Sequence, residues 1–387
     1  MRVLHVIGSF PPATAYAGPP DQVFRLSVEM RRMGFDVRAI TTNRNGPKPL
    51  DVPADRWIEH GGVPVFYGST PHPSIPVSRP AGREIVRTIA QHDIVHLSTV
   101  YMWETIVAAR AARAAGVPYV VSPRGCFDPK ALVYSTWKKR LFGIAGGTRA
   151  FSRAAMLHVT AEMERGHVAA HVSGVPIRVV PNGVEVPDAA AVARLKAEAG
   201  PTRPDVVYLG RIHPKKNILA LVSAWGELAG GRPGRLVIAG PDDKGHRVEV
   251  EAAVARLGLA GRVDFPGRVG GEAKGRLLSR ARCLVLPSFT ENFGNVVAEA
   301  LAHGTPAVAS TGTPWEGLLE HGCGWWVGPD QAALRGALAE VLAAEDARIE
   351  AMGERGRGWV VSEFAWPKVA AGMARLYEEV LSRAGGR

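Results

Sequence analysis

Residues 283–310 read CLVLPSFTENFGNVVAEALAHGTPAVAS, an apolar run followed by a polar turn and a helix-forming stretch. The run Cys283–Pro287 predicts a short buried strand. Val296–His303 predicts a helix that Gly304 ends. Strand, loop and helix in this order form the repeating unit of a parallel, helix-covered sheet, so this stretch predicts an α/β fold.

Two carboxylates flank the loop of this unit. Glu291 lies in the loop at the helix N-terminus, and Glu299 lies about one turn inside the helix. A helix N-terminus offers free N–H groups and partial positive charge, which suit a phosphate. Carboxylates accept hydrogen bonds from sugar hydroxyls. The pattern therefore predicts a nucleotide-sugar site; two solvated surface glutamates are the alternative and explain the surrounding pattern poorly.

The same stretch resembles the retaining glycosyltransferases of family 4, whose hallmark is E-x7-E followed by A-x-x-x-G-x-P-V/A-V. The matching residues are Glu291, Phe293, Gly294, Glu299, Ala300, Gly304, Pro306 and Val308. The resemblance covers nearly the whole chain. It implies that Glu299 binds the nucleotide ribose and that Glu291 contacts the transferred sugar beside the main chain of Phe293 and Gly294. Asn292 and Asn295 complete the predicted donor-binding loop.

A second motif, LGRIHPKKN at residues 209–217, follows another predicted strand. Arg211 and Lys216 leave the strand's carboxyl end five residues apart, close enough to clamp one diphosphate. The family pattern G-R-x-x-x-x-K matches both, and implies that they stabilise the leaving diphosphate opposite the two glutamates. Arg211, Lys216 and Glu291 are therefore the predicted catalytic residues, whereas Lys215 is expected to lie on a basic surface loop.

Two positions of the first half also belong to the predicted site. Gly18 stands where the family commonly has a paired glycine beside the donor phosphate; an ordinary strand-to-helix loop is the alternative. Arg124, in Val121-Ser-Pro-Arg-Gly125, stands where many relatives carry a histidine. An arginine stays protonated and is no general base, so Arg124 is expected to bind sugar hydroxyls, the phosphate or an acceptor anion. His96 and His158 are expected to be core residues.

Alternating strand and helix signals run through both halves of the chain. The predicted strands are Arg2–Ile7, Asp36–Thr41, Asp93–Leu97, Tyr119–Ser122 and Met156–Thr160, then Val206–Leu209, Leu236–Ala239, Arg262–Phe265, Cys283–Leu286, Ala307–Ala309 and Trp325–Val327. Helices are predicted at Gln22–Met33, Arg83–Gln91, Glu104–Ala115, Ser135–Ala145 and Trp359–Ser382. Two such series predict two facing Rossmann-like domains. The resemblance implies the GT-B architecture, with a C-terminal helix crossing back to the first domain.

The predicted first domain is the acceptor side and spans residues 1–183, with 365–387 returning to it. The donor domain spans residues 184–364, and Asn182-Gly183 between prolines supplies the turn signals of the boundary. The chain of 387 residues, 46% hydrophobic and 21% charged, is typical of a globular enzyme with two cores. Three cysteines without metal or redox spacing favour a reducing cytosol.

Positive charge is concentrated in the first half. Residues 1–187 carry 22 Lys and Arg against 13 Asp and Glu, whereas residues 188–387 carry 25 against 23. A basic surface attracts an anionic bilayer, although arginine-rich genome composition explains the excess equally well. Trp137 and its neighbours in residues 131–144 predict a basic amphipathic helix, either on the inner membrane face or packed within its domain. No nucleic-acid motif accompanies the charge.

Metal and cofactor are both expected to be absent. No Asp-x-Asp motif occurs, and Asp242-Asp243 are simply adjacent acids. The predicted function is retaining, metal-independent transfer of a hexose from a UDP- or GDP-linked donor to a glycan or lipid-linked acceptor, in cell-surface polysaccharide biosynthesis. A nucleotide-sugar epimerase of the same fold and an inactive sugar-nucleotide-binding protein are the alternatives.

Overall fold

The computed structural model describes residues 1–15, 18–72, 76–98, 101–129, 142–197, 205–229 and 234–385. The chain divides into two compact units. The first comprises Met1–Gly183 and Trp366–Arg387, and the second comprises Val184–Ala365. The domain limits expected from the sequence differ from this division by one residue, at the start of the C-terminal segment.

The first unit is built on a mostly parallel sheet. Its described strands are β1 (Arg2–Ile7), β2 (Asp36–Thr42), β3 (Arg44–Asn45), β4 (Lys48–Pro49), β5 (Trp57–His60), β6 (Val63–Gly68), β7 (Ile94–Ser98), β8 (Tyr119–Ser122), β9 (Met156–Val159) and β10 (Ile177–Val179). Eight of them form one sheet in the order β10-β9-β8-β7-β1-β2-β6-β5, and β3 pairs with β4. Only β5 runs antiparallel to its neighbour in the larger sheet. The inner strands β1, β7 and β8 are buried along nearly their whole length, as expected for parallel strands covered on both faces.

Helices connect these strands. The described ones are α1 (Pro19–Arg32), α2 (Arg79–Thr88), α3 (Trp103–Ala114), α4 (Thr148–Ser152), α5 (Glu162–Ala169) and the C-terminal α14 (Trp366–Gly385). A π-turn, Gly143–Gly147, precedes α4. Most of the helix expected at Ser135–Ala145, including Trp137, lies outside the described residues.

All five strands predicted for the first unit are present. Five others were missed, three of them (β5, β6 and β10) in the eight-stranded sheet and two in the short β3–β4 pair. Strand β6 reads VPVFYG, and Pro64 within it argues against a strand, although the position pairs with an antiparallel neighbour at the sheet end. Strand β10 has only three residues, none fully buried. Sequence periodicity over so few residues carries little signal.

The C-terminal helix packs on the first unit. Trp366, Val369, Met373, Tyr377 and Val380 recur at helical spacing and are all buried. They share a core with buried residues of α1 and of the central strands. The helical stretch expected at Trp359–Ser382, with Pro367 as a kink or a start, is interrupted at Phe364–Ala365. Pro367 lies in the first turn of α14, where its missing N–H has no cost.

The second unit holds a six-stranded parallel sheet. Its strands are β11 (Val206–Leu209), β12 (Leu236–Ala239), β13 (Val263–Gly267), β14 (Cys283–Leu286), β15 (Ala307–Ser310) and β16 (Gly324–Val327), in the order β13-β12-β11-β14-β15-β16. Its described helices are α6 (Ala189–Ala197), α7 (Ile218–Ala229), α8 (His246–Arg256), α9 (Gly271–Arg280), α10 (Asn295–Ala302), α11 (Gly317–Glu320), α12 (Gln331–Ala343) and α13 (Asp346–Glu363). The six predicted strands are confirmed, three with identical bounds.

Both sheets reverse their strand order at one point. In the first unit β1 pairs with both β2 and β7. In the second unit β11 pairs with both β12 and β14. Loops diverge at such a switch point and leave a crevice at the carboxyl ends of the strands, where open α/β sheets bind ligands. Within the described residues, no helix combines the length and the apolar character that crossing a bilayer requires.

Candidate active site

The switch point of the second unit brings two predicted motifs together. The loop after β11 ends in a single 3₁₀ turn, Pro214–Lys216, and the loop after β14 begins at Pro287. The Phe289 amide donates a hydrogen bond to the Lys215 carbonyl oxygen at 3.0 Å, which joins the two loops. Asn217 then donates to the Pro287 carbonyl oxygen at 3.1 Å. Residues 70 positions apart are thereby fixed side by side.

Lys216 and Glu291 form an ion pair at this crevice. The ammonium of Lys216 contacts Oε1 of Glu291, and the two side chains are only 16% and 14% exposed. The Ser288 hydroxyl donates to the same carboxylate oxygen at 2.7 Å. The Glu291 amide donates to the Gly312 carbonyl oxygen at 2.9 Å, which ties the loop to the end of β15. The pair is thus held by backbone contacts on both sides and partly shielded from water.

Arg211 has a different carboxylate partner. Its guanidinium lies 2.5 Å from the carboxylate of Asp243, in the loop after β12, and its side chain is 58% exposed. The buried Tyr208 hydroxyl donates to the Arg211 carbonyl oxygen at 2.7 Å and fixes the start of the loop. Burial, and then the negative charge of Glu291, raise the pKa of Tyr208 well above its usual value, so this hydroxyl stays protonated.

These contacts correct one expectation. The sequence placed Arg211 and Lys216 together, opposite the two glutamates. In the structure Lys216 lies directly against Glu291 and Arg211 lies against Asp243. The reason is that the loops after β11 and β14 leave neighbouring strands at the switch point, whereas the backbone of Arg211 still runs beside the loop after β12. Asp243, expected to be only an adjacent acid, neutralises Arg211.

The loop before α10 rests on a buried aromatic cluster. Phe293 is 6% and Trp315 1% exposed, and their ring centroids lie 5.3 Å apart. The Trp315 indole N–H donates to the Phe293 carbonyl oxygen at 2.6 Å. Trp315 is therefore a core residue that supports the loop. Asn292 and Asn295, both half-buried, lie on either side of Phe293-Gly294.

Gly294 is required at the start of α10. Its φ of +81° lies in the left-handed region. A Cβ there would lie 2.8 Å from the Leu286 side chain and 3.2 Å from the Trp315 indole nitrogen. The turn therefore brings the backbone N–H groups of α10 to the loop, where no side chain of Gly294 obstructs them.

Glu299 lies on α10 as expected, in its second turn. Its carboxylate is 3.1 Å from the ammonium of Lys274 on α9. Both side chains remain partly exposed, 24% and 31% respectively. Glu316 is exposed and lies immediately before α11.

Gly18 begins α1 in the first unit. Its φ is +95°, which favours glycine, while a Cβ would meet no atom within 4 Å. Conformation, and not lack of space, therefore accounts for glycine at this position. Its carbonyl oxygen accepts a hydrogen bond from the Gln22 amide at 3.1 Å, as the first turn of the helix requires.

Arg124 follows β8, at the carboxyl end of the first sheet. Its guanidinium donates to the side-chain oxygen of Asn182 at 2.7 Å, and its Nε is buried without a hydrogen-bond partner among the described residues. Burial lowers the pKa of Arg124, and the nearby Glu164 carboxylate opposes that shift. Glu164 also accepts a hydrogen bond from the Gly125 amide at 2.7 Å, which holds the loop.

Behind Arg124, polar side chains form a buried chain of hydrogen bonds. His158 Nε2 must donate to the Val180 carbonyl oxygen at 2.9 Å, so its Nδ1 accepts from Ser122 at 2.6 Å. Ser122 then accepts from His96 Nε2, and His96 Nδ1 accepts from Tyr377, each at 2.6 Å. Burial lowers the pKa of His158 to about 3 and that of His96 well below its usual value. The expectation that both histidines are core residues is confirmed.

His5 lies beside these hydrogen-bonded side chains, and no sequence signal pointed to it. Its ring is 5.2 Å from that of His96, and both ring nitrogens lack partners in the described part of the protein. Burial, and then the charge of Arg124, lower the pKa of His5 to about 3. It is a neutral imidazole in the middle of β1.

Two families match this chain. Residues 193–359 match the model "Glycosyl transferases group 1", and residues 17–183 match "Glycosyl transferase 4-like domain". The chain belongs to the glycosyltransferases. The nucleotide-sugar crevice expected from residues 211–299 falls within the group 1 match, and Gly18 and Arg124 fall within the other.

Curated relatives of this glycosyltransferase differ in how much they share with it. It is 33% identical to the D-inositol 3-phosphate glycosyltransferase of Nocardia farcinica over 218 residues, which are 53% of this chain and 48% of that relative. The chain thus aligns with about half the length of that protein. It is 25% identical to the GDP-mannose:cellobiosyl-diphosphopolyprenol alpha-mannosyltransferase of Komagataeibacter xylinus over 396 residues, covering 99% and 94% of the two chains.

Among solved structures, sucrose-phosphate synthase from Thermosynechococcus elongatus superimposes with a TM-score of 0.79 at 22% identity, covering 99% of both chains. Likeness at this identity concerns the fold. The expected α/β fold with two Rossmann-like units, of the GT-B type, is confirmed.

Three neighbours of the predicted residues were missed by sequence reasoning. Ser288 and Lys274 contact the two motif glutamates, and Asp243 contacts Arg211. Ser288 lies three residues before Glu291, so the local spacing could have pointed to it. The other two come from separate loops and helices, and no sequence pattern links them to their partners. No group of three or more metal-ligating side chains occurs among the described residues; metal independence stays a prediction.

Proposed function

We propose that this glycosyltransferase moves a hexose from a nucleotide diphosphate sugar to a glycan or lipid-linked acceptor, with retention of the anomeric configuration. The observation that carries the proposal is the partly buried Lys216–Glu291 pair at the β11/β14 switch point, beside the N-terminus of α10. This arrangement supplies a cation, a carboxylate and free backbone amides in one crevice. Those three groups suit the diphosphate, the sugar hydroxyls and the phosphate oxygens of one donor molecule.

Lys216 and Arg211 would stabilise the departing diphosphate. Negative charge develops on the leaving phosphate oxygen as the bond to the sugar breaks, and oriented cations lower the energy of that state. The Lys216 ammonium has three N–H donors, so it can bind a phosphate oxygen without leaving Glu291. Arg211 is more exposed and has to exchange Asp243 for the phosphate. We therefore assign the larger catalytic role to Lys216.

Glu291 and Glu299 would position the donor. The Glu291 carboxylate accepts hydrogen bonds from the sugar hydroxyls, next to the main chain of Phe293 and Gly294 and the side chains of Asn292 and Asn295. Glu299 accepts from the ribose hydroxyls. The Lys274 contact orients the Glu299 carboxylate while leaving it partly exposed.

Retention would follow from attack on the same face of the sugar as the leaving group. The acceptor hydroxyl attacks the anomeric carbon, the carbon–oxygen bond to the phosphate breaks, and the leaving phosphate oxygen accepts the hydroxyl proton. Lys216, Arg211 and the α10 amides would neutralise the diphosphate without a divalent cation. Gly18 and Arg124 would approach the donor phosphate or the acceptor.

Assembly of cell-surface polysaccharide on a lipid carrier at the inner membrane face is the proposed setting. Support comes from the K. xylinus relative, whose name specifies a diphosphopolyprenol-linked acceptor and whose alignment covers 99% of this chain. The positive charge of the first half is the second support, because it favours an anionic surface. An epimerase or an inactive binding protein would produce no acceptor-linked sugar.

The test combines donor binding with transfer. A thermal-shift panel of UDP-, GDP- and dTDP-linked sugars identifies the donor, and transfer of its labelled sugar to a polyprenyl-diphosphate-linked glycan is then measured with and without EDTA. The proposal predicts EDTA-insensitive transfer and an α-linked product from an α-linked donor. An inverted product, or activity that requires added Mg²⁺, contradicts the corresponding part of the mechanism; altered donor without transfer identifies the epimerase.

A further inference from the structure

The backbone of Arg124 adopts a conformation that most residue types avoid. Arg124 has a φ of +54° and Gly125 a φ of +78°, so two successive residues lie in the left-handed region. Glycine enters that region freely, whereas a residue with a Cβ stays there only where its surroundings hold it. Residues of this kind are concentrated at active sites and ligand clamps. The contacts around Arg124 therefore determine where its guanidinium lies.

Contacts from α5 and from the loop after β10 hold one side of this segment. The Gly125 amide donates to one carboxylate oxygen of Glu164 at 2.7 Å. The other oxygen accepts from the Thr160 amide, also at 2.7 Å, and Glu164 is only 3% exposed. The Arg124 guanidinium donates to the side-chain oxygen of Asn182 at 2.7 Å. The backbone after Arg124 and the end of its side chain are thus both fixed.

The buried chain of hydrogen bonds holds the other side. Ser122, two residues before Arg124, donates to His158, and His158 donates to the carbonyl oxygen of Val180, two residues before Asn182. Strand β9, which carries His158, lies between β8 and β10 in the sheet. One histidine therefore connects the ends of the two strands that lead to Arg124 and to its partner Asn182.

Tyr377 on α14 begins this chain. It is completely buried and donates to His96 Nδ1 at 2.6 Å, and His96 Nε2 donates to Ser122 at 2.6 Å. Since the Val180 carbonyl oxygen can only accept, every link runs in one direction, from the Tyr377 hydroxyl to Val180. Without that hydroxyl, His96 Nδ1 has no donor, and the orientation of the imidazole and of the Ser122 hydroxyl is no longer fixed.

We infer that Tyr377 is a positioning residue, which acts through His96 and Ser122 to hold the Arg124 guanidinium where it meets substrate. The contact of Arg124 with the donor phosphate or the acceptor rests on the proposed function. A guanidinium is a planar fork of donors, so its hydrogen bonds to a phosphate or to hydroxyls depend on its orientation. The C-terminal helix thus contributes to sugar transfer through a buried hydroxyl that touches no substrate.

The first test observes Arg124 directly and needs no substrate. In ¹⁵N-labelled full-length protein, the Nε–H resonance of Arg124 is the arginine signal that Arg124→Gln removes. Tyr377→Phe keeps the ring and removes the hydroxyl. Tyr119→Phe is the matched control, because it removes another buried hydroxyl of the first unit, which donates to the Ala150 carbonyl oxygen at 3.1 Å.

We expect the Arg124 Nε–H to exchange with solvent at least about tenfold faster in Tyr377→Phe than in wild-type protein or in Tyr119→Phe. Equal exchange rates in Tyr377→Phe and Tyr119→Phe overturn the inference.

The second test is a double-mutant cycle in transfer to the polyprenyl-diphosphate-linked glycan, measured as kcat/KM at saturating concentration of the donor that the thermal-shift panel selects. Tyr377→Phe should lower transfer about five- to tenfold when Arg124 is present, and by less than about twofold in the Arg124→Gln background, where no guanidinium remains to be positioned. Tyr119→Phe should change transfer by less than about twofold in both backgrounds. Equal losses from Tyr377→Phe with and without Arg124, or no loss in either, overturn the positioning role.

A second variant covers failure of the first to fold. Ser122→Ala interrupts the chain nearer to Arg124, and it replaces Tyr377→Phe in both tests with the same expected results. Failure of the proposed function has a separate signature, since wild-type protein would then show no transfer. The exchange measurement decides the positioning of Arg124 in that case as well.

Discussion

The Lys216–Glu291 pair of the second unit and the hydrogen-bonded histidines of the first unit treat polar side chains in opposite ways. The pair is an ion pair whose side chains are 16% and 14% exposed, at the carboxyl end of a sheet. His96 and His158 are neutral and buried, and their hydrogen-bond partners are Ser122, Tyr377 and the Val180 carbonyl oxygen. Charged groups that remain within reach of solvent can exchange partners with a ligand, whereas a neutral buried chain has only one arrangement that satisfies all its members. The Lys216–Glu291 pair is therefore suited to binding a ligand, whereas the histidine network stabilises the fold.

The largest effect is expected on replacing Glu291, which tests the role of the Lys216–Glu291 pair in donor binding and transfer. Glu291→Gln is expected to lower sugar transfer by about 100- to 1,000-fold, because an oriented charge at the reacting sugar is lost. Unfolding free energy should fall by no more than about 3 kcal/mol, since Lys216 loses its charged partner but keeps some access to water. Transfer rates and urea unfolding measure the two effects. Glu320→Gln, at an exposed glutamate of α11, is the control. Equal activity of the two variants would show that Glu291 has no role in sugar transfer.

Lowering the pH tests how the buried histidines contribute to stability. The unfolded chain binds protons at histidine below pH 6.5, whereas His5 and His158 in the folded state resist protonation down to about 3. Stability is therefore full above pH 6.5 and falls as the pH decreases, by about 2 kcal/mol per histidine between pH 7.5 and 5.0. Burial raises the pKa of Glu104 to about 6, which offsets about 1.4 kcal/mol of that loss at pH 5.0, because this group is protonated more readily in the folded state.

Urea unfolding at the two pH values checks this expectation. His158→Gln should lose about 2 kcal/mol less on acidification than the parent protein. His171→Gln, which removes an exposed histidine, should lose as much as the parent. An acid response that is the same in His158→Gln and His171→Gln would refute the assignment of neutral buried histidines.

The hydrogen bond from Trp315 combines both features, because it is buried and also supports the binding loop. Trp315→Phe removes the N–H donated to the Phe293 carbonyl oxygen and should cost about 1 kcal/mol of stability. The donor should bind several-fold more weakly. Trp326→Phe removes an equivalent bond to the Thr313 carbonyl oxygen and is the control, with a similar loss of stability and unchanged donor affinity. Calorimetric donor titration distinguishes them; equal affinities would mean that the loop does not depend on Trp315.

The smallest effect is expected at Asp243. The Arg211–Asp243 pair is largely exposed, so Asp243→Asn should change the unfolding free energy by less than about 1 kcal/mol. Arg211 no longer has to leave a carboxylate, and a nucleoside diphosphate should bind about two- to threefold more tightly. Titration with the diphosphate measures this. Binding weakened by tenfold would instead place Asp243 among the residues that hold the donor.

Elements formed by residues that are adjacent in the sequence could be predicted. Contacts between residues far apart in the sequence could not. The strand, loop and helix of residues 283–310, with Glu291 in the loop and Glu299 on the helix, could be predicted because strand, turn and helix signals follow one another directly. The pairing of Lys216 with Glu291 could not, since it depends on β11 and β14 being neighbours in the sheet. The histidine chain joins residues as far apart as His96 and Tyr377. Single side chains on buried strands carry no signal of such partners.

Calorimetric titration of the nucleoside diphosphate of the donor into wild-type, Lys216→Gln and Lys215→Gln protein measures whether Lys216 holds the donor diphosphate. The two lysines are adjacent, and Lys215 is exposed whereas Lys216 is paired with Glu291. If the β11/β14 crevice holds the donor diphosphate, Lys216→Gln should bind it at least about tenfold more weakly and Lys215→Gln within about twofold of wild type. Wild-type affinity in Lys216→Gln would show that Lys216 does not hold the donor diphosphate.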